Sequence, residues 1–392
     1  MEEWKLVKLG SLVQRNIGYG IVQPGENQKD GTPVIKVNNI IAGLTSVEAL
    51  DKTTNEIASK YGRTKLQGGE LIISLVGSVG QTVIVPASFK GCNLVRATGL
   101  IDIPDMVLTQ WVKYYIDSPM GQQYIKSNLN TTVQVTLNIK ALVEMPIPMP
   151  PLALIDKIVP VLQSLDDKIE LNRRINDNLE QQAQALFKSW FVDFEPWGGK
   201  MPSDWKEGTL IDIADYLNGL AMQKYPSKEG FVSLPVLKIK ELGQGYCDDA
   251  SDRCTSTISS QYIVNDGDVI FSWSGTLLVD IWCGGICGLN QHLYKVTSKI
   301  YPKWFYLYWT ISHLEKFRRI ASDKAVTMGH IKRGDLEKAK VLIPPITTIV
   351  TLSNQITPMI ENIINVRKEN TKLAQLRDTL LPKLMSGELK IS

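Results

Sequence analysis

The clearest pattern in the sequence is a seam of mostly apolar positions that step alternately by four and three residues, and it occurs twice. This spacing predicts a coiled coil, in which the seam of one long helix faces another helix. The two blocks begin after Pro150-Pro151 and Pro344-Pro345, where a helix can start but cannot continue backward. The first helix is predicted from about Leu152 to Phe191. The seams, offset by 194 residues (158 to 352), comprise Ile158, Leu162, Leu165, Ile169, Asn172, Asn176, Leu179, Ala183, Leu186 and Trp190, and then Leu352, Ile356, Met359, Ile363, Val366, Asn370, Leu373, Arg377, Leu380 and Leu384.

Three of the seam positions are asparagines: Asn172, Asn176 and Asn370. One interpretation is that buried amides fix the register and the antiparallel orientation of the helices at some cost in stability. The alternative is that these turns are splayed or hydrated. Under the first interpretation, replacing Asn176 and Asn370 by Leu raises the thermal stability.

The region before each helical block is also repeated, at an offset that drifts between 192 and 202 residues. Such a drift is expected when loops gain and lose residues on a common scaffold. Between the matching segments the two copies differ strongly, which indicates two different ligand surfaces. The matches are Trp4-Lys5 with Trp205-Lys206, 33–37 with 235–239, 69–74 with 267–272, 111–116 with 304–309, and Ile139-Lys140 with Ile331-Lys332.

Each repeated region is predicted to be an α+β domain, called a head below. Segments rich in Val, Ile and aromatic residues predict strands, and longer apolar segments after them predict helices. The first head is predicted over 1–149 and the second over 198–343, with helical regions at 150–197 and 344–392. The predicted strands include 71–75, 82–85, 269–273 and 279–282, and the predicted helices include 107–116 and 303–320.

The connections between the elements favour antiparallel pairing of the two long helices. The second head lies between the end of the first helix and the start of the second, so antiparallel pairing needs no long return loop. This arrangement predicts a pseudo-twofold axis relating the heads, and both chain termini near the first head.

Composition excludes a uniformly basic chain, since 43 Lys and Arg against 40 Asp and Glu leave a net charge of +3. Nucleic-acid binding would therefore depend on local clusters of positive charge. The sequence contains neither a signal-peptide pattern nor an apolar stretch of membrane-spanning length, so we expect a cytoplasmic protein with no membrane association.

The five cysteines are odd in number and unevenly spaced, which fits reduced thiols. Cys283 and Cys287 with His292 nearby could be drawn as a metal site. The spacing is unusual for zinc, however, and the first half has only Cys92. We therefore expect no metal site and favour buried free thiols.

Candidate ligand-binding residues are basic side chains, which suit phosphates, and polar or glycine-containing loops, which suit base edges or a close backbone approach. For any single basic residue, solvated surface charge is the alternative. No G-x-x-x-x-G-K-S/T phosphate loop occurs. The candidates in the first head are Arg63, Lys65, Gly77, Ser78, Arg96, Lys113, Lys126, Gln134, Asn138 and Lys140, and those in the second are Ser274, Gly275, Asn290, Gln291, His292, Lys316, Arg318, Arg319, Lys324, Lys332 and Arg333.

Several runs resemble type I restriction-modification specificity subunits. Residues 165–172 followed by 186–194 resemble the central conserved region of that family, and 376–388 resemble its distal conserved region. Residues 289–296 resemble a stretch found in many of its target-recognition domains. The resemblance extends over the full chain.

The resemblance implies a subunit that does no chemistry and reads an asymmetric, bipartite sequence in double-stranded DNA, one half with each head. It also implies that the helices act as a spacer and dock two methyltransferase subunits, with motor-nuclease subunits in the full complex. S-adenosylmethionine, ATP and magnesium would then be bound by those partners, and this chain would bind no cofactor.

The residues support the absence of chemistry separately from the resemblance. An amino-methyltransferase needs Asn or Asp before Pro-Pro and an aromatic residue after it, whereas the Pro-Pro pairs here follow Met149 and Ile343. Two alternatives stay open at this point: a self-contained modification or cleavage enzyme, and a protein-binding scaffold.

Overall fold

The computed structural model describes residues 4–131, 134–227, 230–323 and 329–389, and these form two compact units. The first unit contains the chain up to Asp166 together with the segment from Ala374 onward. The second unit runs from Asp167 to Leu373. Each unit therefore contains one head and parts of both long helices.

The first unit alternates short strands with helices before the first long helix begins. Its strands are β1 Lys5–Lys8, β2 Arg15–Tyr19, β3 Thr32–Ile35, β4 Lys52–Thr53, β5 Leu71–Ser74, β6 Thr82–Ile84, β7 Asn93–Leu94, β8 Thr98–Asp102, β9 Leu129–Asn130, β10 Thr136–Leu137 and β11 Pro146–Met149. Its helices are α1 Val37–Ile41, α2 Asn55–Ser59, α3 Met106–Asp117, α4 Pro119–Ser127, α5 Ile139–Val143 and the start of α6 Leu152–Phe191.

The main sheet of the first unit has the strand order β2-β8-β5-β6, beside a smaller sheet β4-β3-β7 and the pair β1-β11. All of β5 is buried because its two faces meet different apolar clusters. Leu71 and Ile73 point into the cluster that contains Trp111 of α3, and Ile72 points into the cluster on the opposite face. The strands predicted at 71–75 and 82–85 correspond to β5 and β6, and the helix predicted at 107–116 corresponds to α3, so these predictions are confirmed.

The second unit repeats this plan. Its strands are β12 Lys206–Thr209, β13 Asp215–Asn218, β14 Ser233–Leu237, β15 Arg253–Thr255, β16 Ile263–Val264, β17 Val269–Ser272, β18 Leu278–Ile281, β19 Cys287–Leu289, β20 Leu293–Thr297 and β21 Lys340–Ile343. Its helices are α7 Leu210–Ile213, α8 Ile239–Gln244, α9 Lys303–Ser312, α10 Leu314–Asp323, α11 Arg333–Leu336 and the greater part of α12 Ile346–Met385.

Strand order confirms that the two heads are copies of one α+β fold. The sheet β13-β20-β17-β18 corresponds to β2-β8-β5-β6 of the first unit, and the pair β12-β21 corresponds to β1-β11. The smaller sheet β15-β14-β19-β16 corresponds to β4-β3-β7, with β16 as an added strand. The prediction of a single helix over 303–320 is wrong, because α9 ends at Ser312 and α10 begins at Leu314. His313 lies at the break, with its Nε2 atom 2.8 Å from the carbonyl oxygen of Lys340.

One of the sequence matches between the heads is displaced by two residues. Leu137 donates its backbone N–H to Leu75 O over 2.9 Å, and Ile331 donates to Trp273 O over the same distance. Ile331 therefore corresponds to Leu137 rather than to Ile139. Consistently, Asn138 and Lys332 occupy the N-cap positions of α5 and α11.

The helices α6 and α12 are each 40 residues long and pack antiparallel within each unit. In the first unit, Ile158 and Leu162 of α6 belong to the same core as Leu381 and Leu384 of α12. In the second unit, early residues of α12 meet late residues of α6, as Ile356 shares a core with Phe187. None of the seam positions is exposed.

The aromatic segment at the end of α6 packs against the second head. Phe191 contacts Trp205, Trp304 and Phe305, with ring centroids 5.2 to 6.2 Å apart. In the first unit, the two described ends of the chain are adjacent, since Gly387 lies against the Trp4 ring. Within the described ranges, no helix has an apolar stretch long enough to cross a membrane.

Candidate nucleic-acid interface

The second head has a surface cleft at the end of strand β17. The cleft has a volume of about 610 Å³, and its lining includes Asn218, Trp273, Tyr294, His330 and two basic residues, Lys332 and Arg333. These residues come from four separate segments of the chain. The cleft therefore depends on the fold of the whole head.

Trp273 is the central side chain of this cleft. Its indole Nε1 donates to Asn218 Oδ1 over 2.9 Å. The indole ring lies 5.8 Å from the His292 ring and 6.3 Å from the His330 ring, measured between centroids. The indole therefore contacts one amide, through its N–H, and two imidazoles, through its ring. Burial raises the pKa of Tyr294 above its ordinary value.

The turn after β17 orients the imidazole of His292. Ser274 Oγ lies 3.1 Å from Nδ1, and the amide Nε2 of Gln291 lies 3.3 Å from the imidazole Nε2. Since an amide nitrogen can only donate, this pair is satisfied when Nδ1 carries the proton and donates to Ser274. Asn290 is buried, and its Oδ1 accepts from the backbone N–H of His292 over 3.3 Å. Asn290 therefore shapes the turn, whereas His292 is exposed.

Glycine occupies the same place in both heads, three residues after the buried serine that ends β5 or β17. Gly77 has a φ angle of 76° and Gly275 one of 63°, a region that L side chains rarely adopt. Both residues are exposed. Glycine thus allows the backbone at the head surface to turn without a side chain covering it.

Positive charge lies at one side of the cleft. Lys332 and Arg333 are exposed at the start of α11. Arg333 makes one longer ion pair, 3.7 Å, with Glu337. Cationic groups beside amide and imidazole groups suit phosphate contacts combined with recognition of base edges.

The other basic candidates of the second head lie on α10. Arg318 binds Glu315 and also donates to Leu277 O over 3.3 Å, which holds α10 to the turn that follows Gly275. Lys316 and Arg319 are exposed on the same helix. Lys324 lies outside the described residues.

In the first head, the structure brings the polar candidates together at the corresponding turn. Gly77 donates its backbone N–H to Val135 O over 3.1 Å, which places Gly77 and Ser78 beside the exposed Gln134. Asn138 has a structural role, because its Oδ1 accepts from Lys140 N over 2.9 Å and caps α5.

The basic candidates of the first head are dispersed. Arg63 and Lys65 share a loop whose carbonyl oxygens accept from Arg15 Nη1 over 3.4 and 3.0 Å. Arg96 is exposed just after β7, and Lys126 and Lys140 are exposed on α4 and α5. Lys113 is bound to Asp117 over 2.8 Å. The first head thus lacks a basic pair equivalent to Lys332 and Arg333 at its turn, within the described residues.

The thiols considered as metal ligands are held as buried neutral groups. Burial raises the pKa of Cys283 to about 11. A hydrogen bond with Cys247, together with burial, raises the pKa of Cys287. Zinc binds thiolates, so these environments oppose a zinc site. Within the described ranges, no group of three His, Cys, Asp or Glu residues is placed to hold a metal ion.

The lining residues of the cleft that were not binding candidates from sequence include Asn218, Trp273, Tyr294 and His330. A signal for one of them was present, because the strand repeat aligns Trp273 with Leu75 at a position where a core strand ends. Asn218 and His330 lie 55 and 57 residues away from Trp273 in sequence (218, 273 and 330), so only the fold brings them together.

The family model described as a type I restriction modification DNA specificity domain matches residues 1–181 and again residues 202–377. The chain is 29% identical over 308 residues to the type I restriction enzyme MjaIX specificity subunit of Methanocaldococcus jannaschii. That alignment covers 73% of this chain and 70% of the relative.

Two further similarities extend over almost the whole chain. The putative type I restriction enzyme MjaX specificity subunit of the same organism is 21% identical over 424 residues, covering 100% of this chain and 94% of that protein. The crystal structure of a type I restriction-modification S subunit from M. genitalium has a TM-score of 0.54 at 14% identity, covering 99% of this chain and 97% of that one. The structural likeness concerns the fold.

Proposed function

Because the chain belongs to the type I restriction-modification DNA specificity family, we propose that its two heads each bind one half of an asymmetric, bipartite DNA target. The chain is a sequence-specific DNA-recognition subunit and is not itself an enzyme. The observation that carries the proposal is the cleft of the second head, where Lys332 and Arg333 line the same surface as Trp273 and His330, and where the His292 ring lies against the Trp273 indole. The cationic groups would bind phosphates and the amide and imidazole groups would bind base edges.

The division of the chain follows from this proposal. Residues 1–149 and 198–343 are the target-recognition domains, and residues 150–197 and 344–392 form the helical spacer. A helix of 40 residues is roughly 60 Å long at 1.5 Å per residue. Major-groove sites on one face of DNA are about 34–36 Å apart per helical turn. A spacer of this length is compatible with two half-sites separated by a gap that is spanned but not read.

The helices also serve as the docking site for partner subunits. We place two methyltransferase subunits on the helical regions, with motor-nuclease subunits joining in the full complex. S-adenosylmethionine, ATP and magnesium would be bound by those partners.

Sequencing of methylated sites in cells that express this chain with its methyltransferase partner tests the proposal. One recurring motif, with two different half-sites and a fixed gap, is the expected result. Methylation without a recurring gapped motif would contradict it.

Lengthening the helices tests the spacer role. One heptad is inserted into both helices at the level of Asn172 and Asn370, which adds about 10 Å to each. The gap should lengthen by about three base pairs at 3.4 Å per pair, with both half-sites unchanged. Arg173→Ala, at the same level on the exposed surface, is the control and should leave the gap as it is. An unchanged gap in the lengthened protein would refute the spacer role.

A further inference from the structure

The two heads hold three surface positions with the same backbone contacts but with different side chains. The first is defined by a hydrogen bond at the end of the central strand. Leu75 N donates to Ala97 O over 2.8 Å, and Trp273 N donates to His292 O over 3.4 Å. Ala97 in the first head therefore corresponds to His292 in the second.

A short antiparallel bridge defines the second position. Val76 pairs with Thr136, and Ser274 pairs with His330. The neighbouring hydrogen bonds, Gly77 N to Val135 O and Gly275 N to Gly329 O, measure 3.1 and 3.2 Å. Thr136 therefore corresponds to His330.

The edge strand of the main sheet defines the third position. Tyr19 at the end of β2 lies opposite Gly99, and Asn218 at the end of β13 lies opposite Tyr294. Two residues later in each head, a backbone N–H donates to a strand of the smaller sheet. Ile21 N donates to Leu94 O of β7 over 2.6 Å, and Leu220 N donates to Leu289 O of β19 over 2.9 Å. Tyr19 therefore corresponds to Asn218.

At these three positions, called the reading positions below, equivalent backbone contacts carry side chains that lie outside the core. Tyr19, Asn218 and His292 are exposed, and Ala97, Thr136 and His330 are half-buried. The residue beneath them differs as well. In the first head it is Leu75, which is fully buried, and in the second it is Trp273, whose indole binds Asn218 and contacts both imidazoles.

We propose that the reading positions select the bases of each half-site, with Tyr19, Ala97 and Thr136 acting in the first head and Asn218, His292 and His330 in the second. Trp273 is a positioning residue that fixes the second set. The assignment rests on the proposed function and gives it a chemical basis. The first set offers hydroxyl and methyl groups, whereas the second offers an amide and two imidazoles, which present donors and acceptors to purine edges. Different sets at equivalent positions make the two half-sites different.

Methylated-site sequencing of variants tests the assignment, with the chain expressed beside its methyltransferase partner. His292→Ala and Asn218→Ala should relax the same half-site at one or two positions, with discrimination reduced about 5- to 150-fold. The gap and the other half-site should stay unchanged. Ala97→His should alter only the other half-site.

His313→Ala is the matched control, since it removes an imidazole from the same head at the break between α9 and α10. It should lower the unfolding temperature and leave both half-sites unchanged. His292→Gln keeps polar groups at the position, so it tests the assignment if the alanine variant does not fold. The assignment is overturned if folded variants at His292 and Asn218 keep the wild-type motif, or if they change both half-sites together. A wild-type chain that directs no gapped motif would instead contradict the proposed function.

Discussion

Arg367 on α12 donates through Nη2 to Glu180 on α6 over 2.7 Å, and the same guanidinium holds both helices to the second head. Its Nη1 donates to Asp280 Oδ1 over 2.8 Å and to Ile281 O over 2.9 Å, at the end of β18. The Arg367 side chain is only 25% exposed, and the two carboxylates are about one-third exposed. One cation thus pairs with two carboxylates in a partly desolvated site.

Replacing Arg367 by Met should destabilise the chain, because Glu180 and Asp280 would lose their shared cationic partner. We expect a loss of about 1–3 kcal/mol, less than for a fully buried pair because the carboxylates are partly hydrated. Thermal unfolding of the purified chain measures the loss. Arg173→Met is the matched control, since Arg173 is 69% exposed and 3.9 Å from Glu170. The control should cost roughly 0.5 kcal/mol or less, and equal losses in the two variants would contradict this account.

The seam asparagines should respond in opposite directions to the same substitution. Asn176 Oδ1 is buried and has no hydrogen-bond partner among the residues that the structure describes. Asn370, in contrast, accepts from Asn172 over 2.9 Å and donates to Ile169 O over 3.2 Å. Asn176→Leu should therefore raise the unfolding free energy by about 1–2 kcal/mol, and Asn370→Leu should lower it by a similar amount. Stabilisation by both substitutions would show that the Asn172–Asn370 contact contributes nothing.

The long helices could be predicted from sequence because their seams depend on local spacing. A residue's place on a helix face is set by neighbours three and four positions away, and the predicted ends at Leu152 and Phe191 are those of α6. The break at His313 could not be predicted in this way. It accompanies a contact with Lys340 O, 27 residues further along the chain.

The binding residues were less accessible to sequence reasoning than the scaffold. Lys332 and Arg333 are sequence candidates that line the cleft, but Asn218, Trp273 and His330 reach it from distant segments of the chain. The correspondence between the heads was likewise uncertain in sequence, because Ile139 resembles Ile331 as an apolar residue before a lysine. Backbone hydrogen bonds to the central strand decide that correspondence, and they involve non-local pairing.

Acidification should destabilise the second head through His313. Burial lowers the pKa of His313 below its ordinary value of 6.5. Between these two values the unfolded chain binds a proton that the folded chain does not, so stability falls as the pH drops below 6.5. His313→Phe should remove part of this pH dependence. Thermal unfolding across this range is the measurement, with Ser312→Ala as a control that adds or removes no titrating group. An identical pH dependence in the Phe variant and the wild type would exclude His313 as a cause.

Lys332 and Arg333 should contribute to the salt dependence of DNA binding if they contact phosphates. Each phosphate contact releases counterions and contributes about 0.9 to the slope of log affinity against log salt concentration. Replacing both residues by Gln should therefore reduce the slope by about two and weaken binding to specific and random duplexes alike. Fluorescence anisotropy with a labelled duplex at several salt concentrations measures the slope. The double variant Lys200→Gln and Lys299→Gln removes the same charge from exposed positions outside the cleft, and should leave the slope nearly unchanged. Equal slopes in the two double variants would place the phosphate contacts elsewhere on the head.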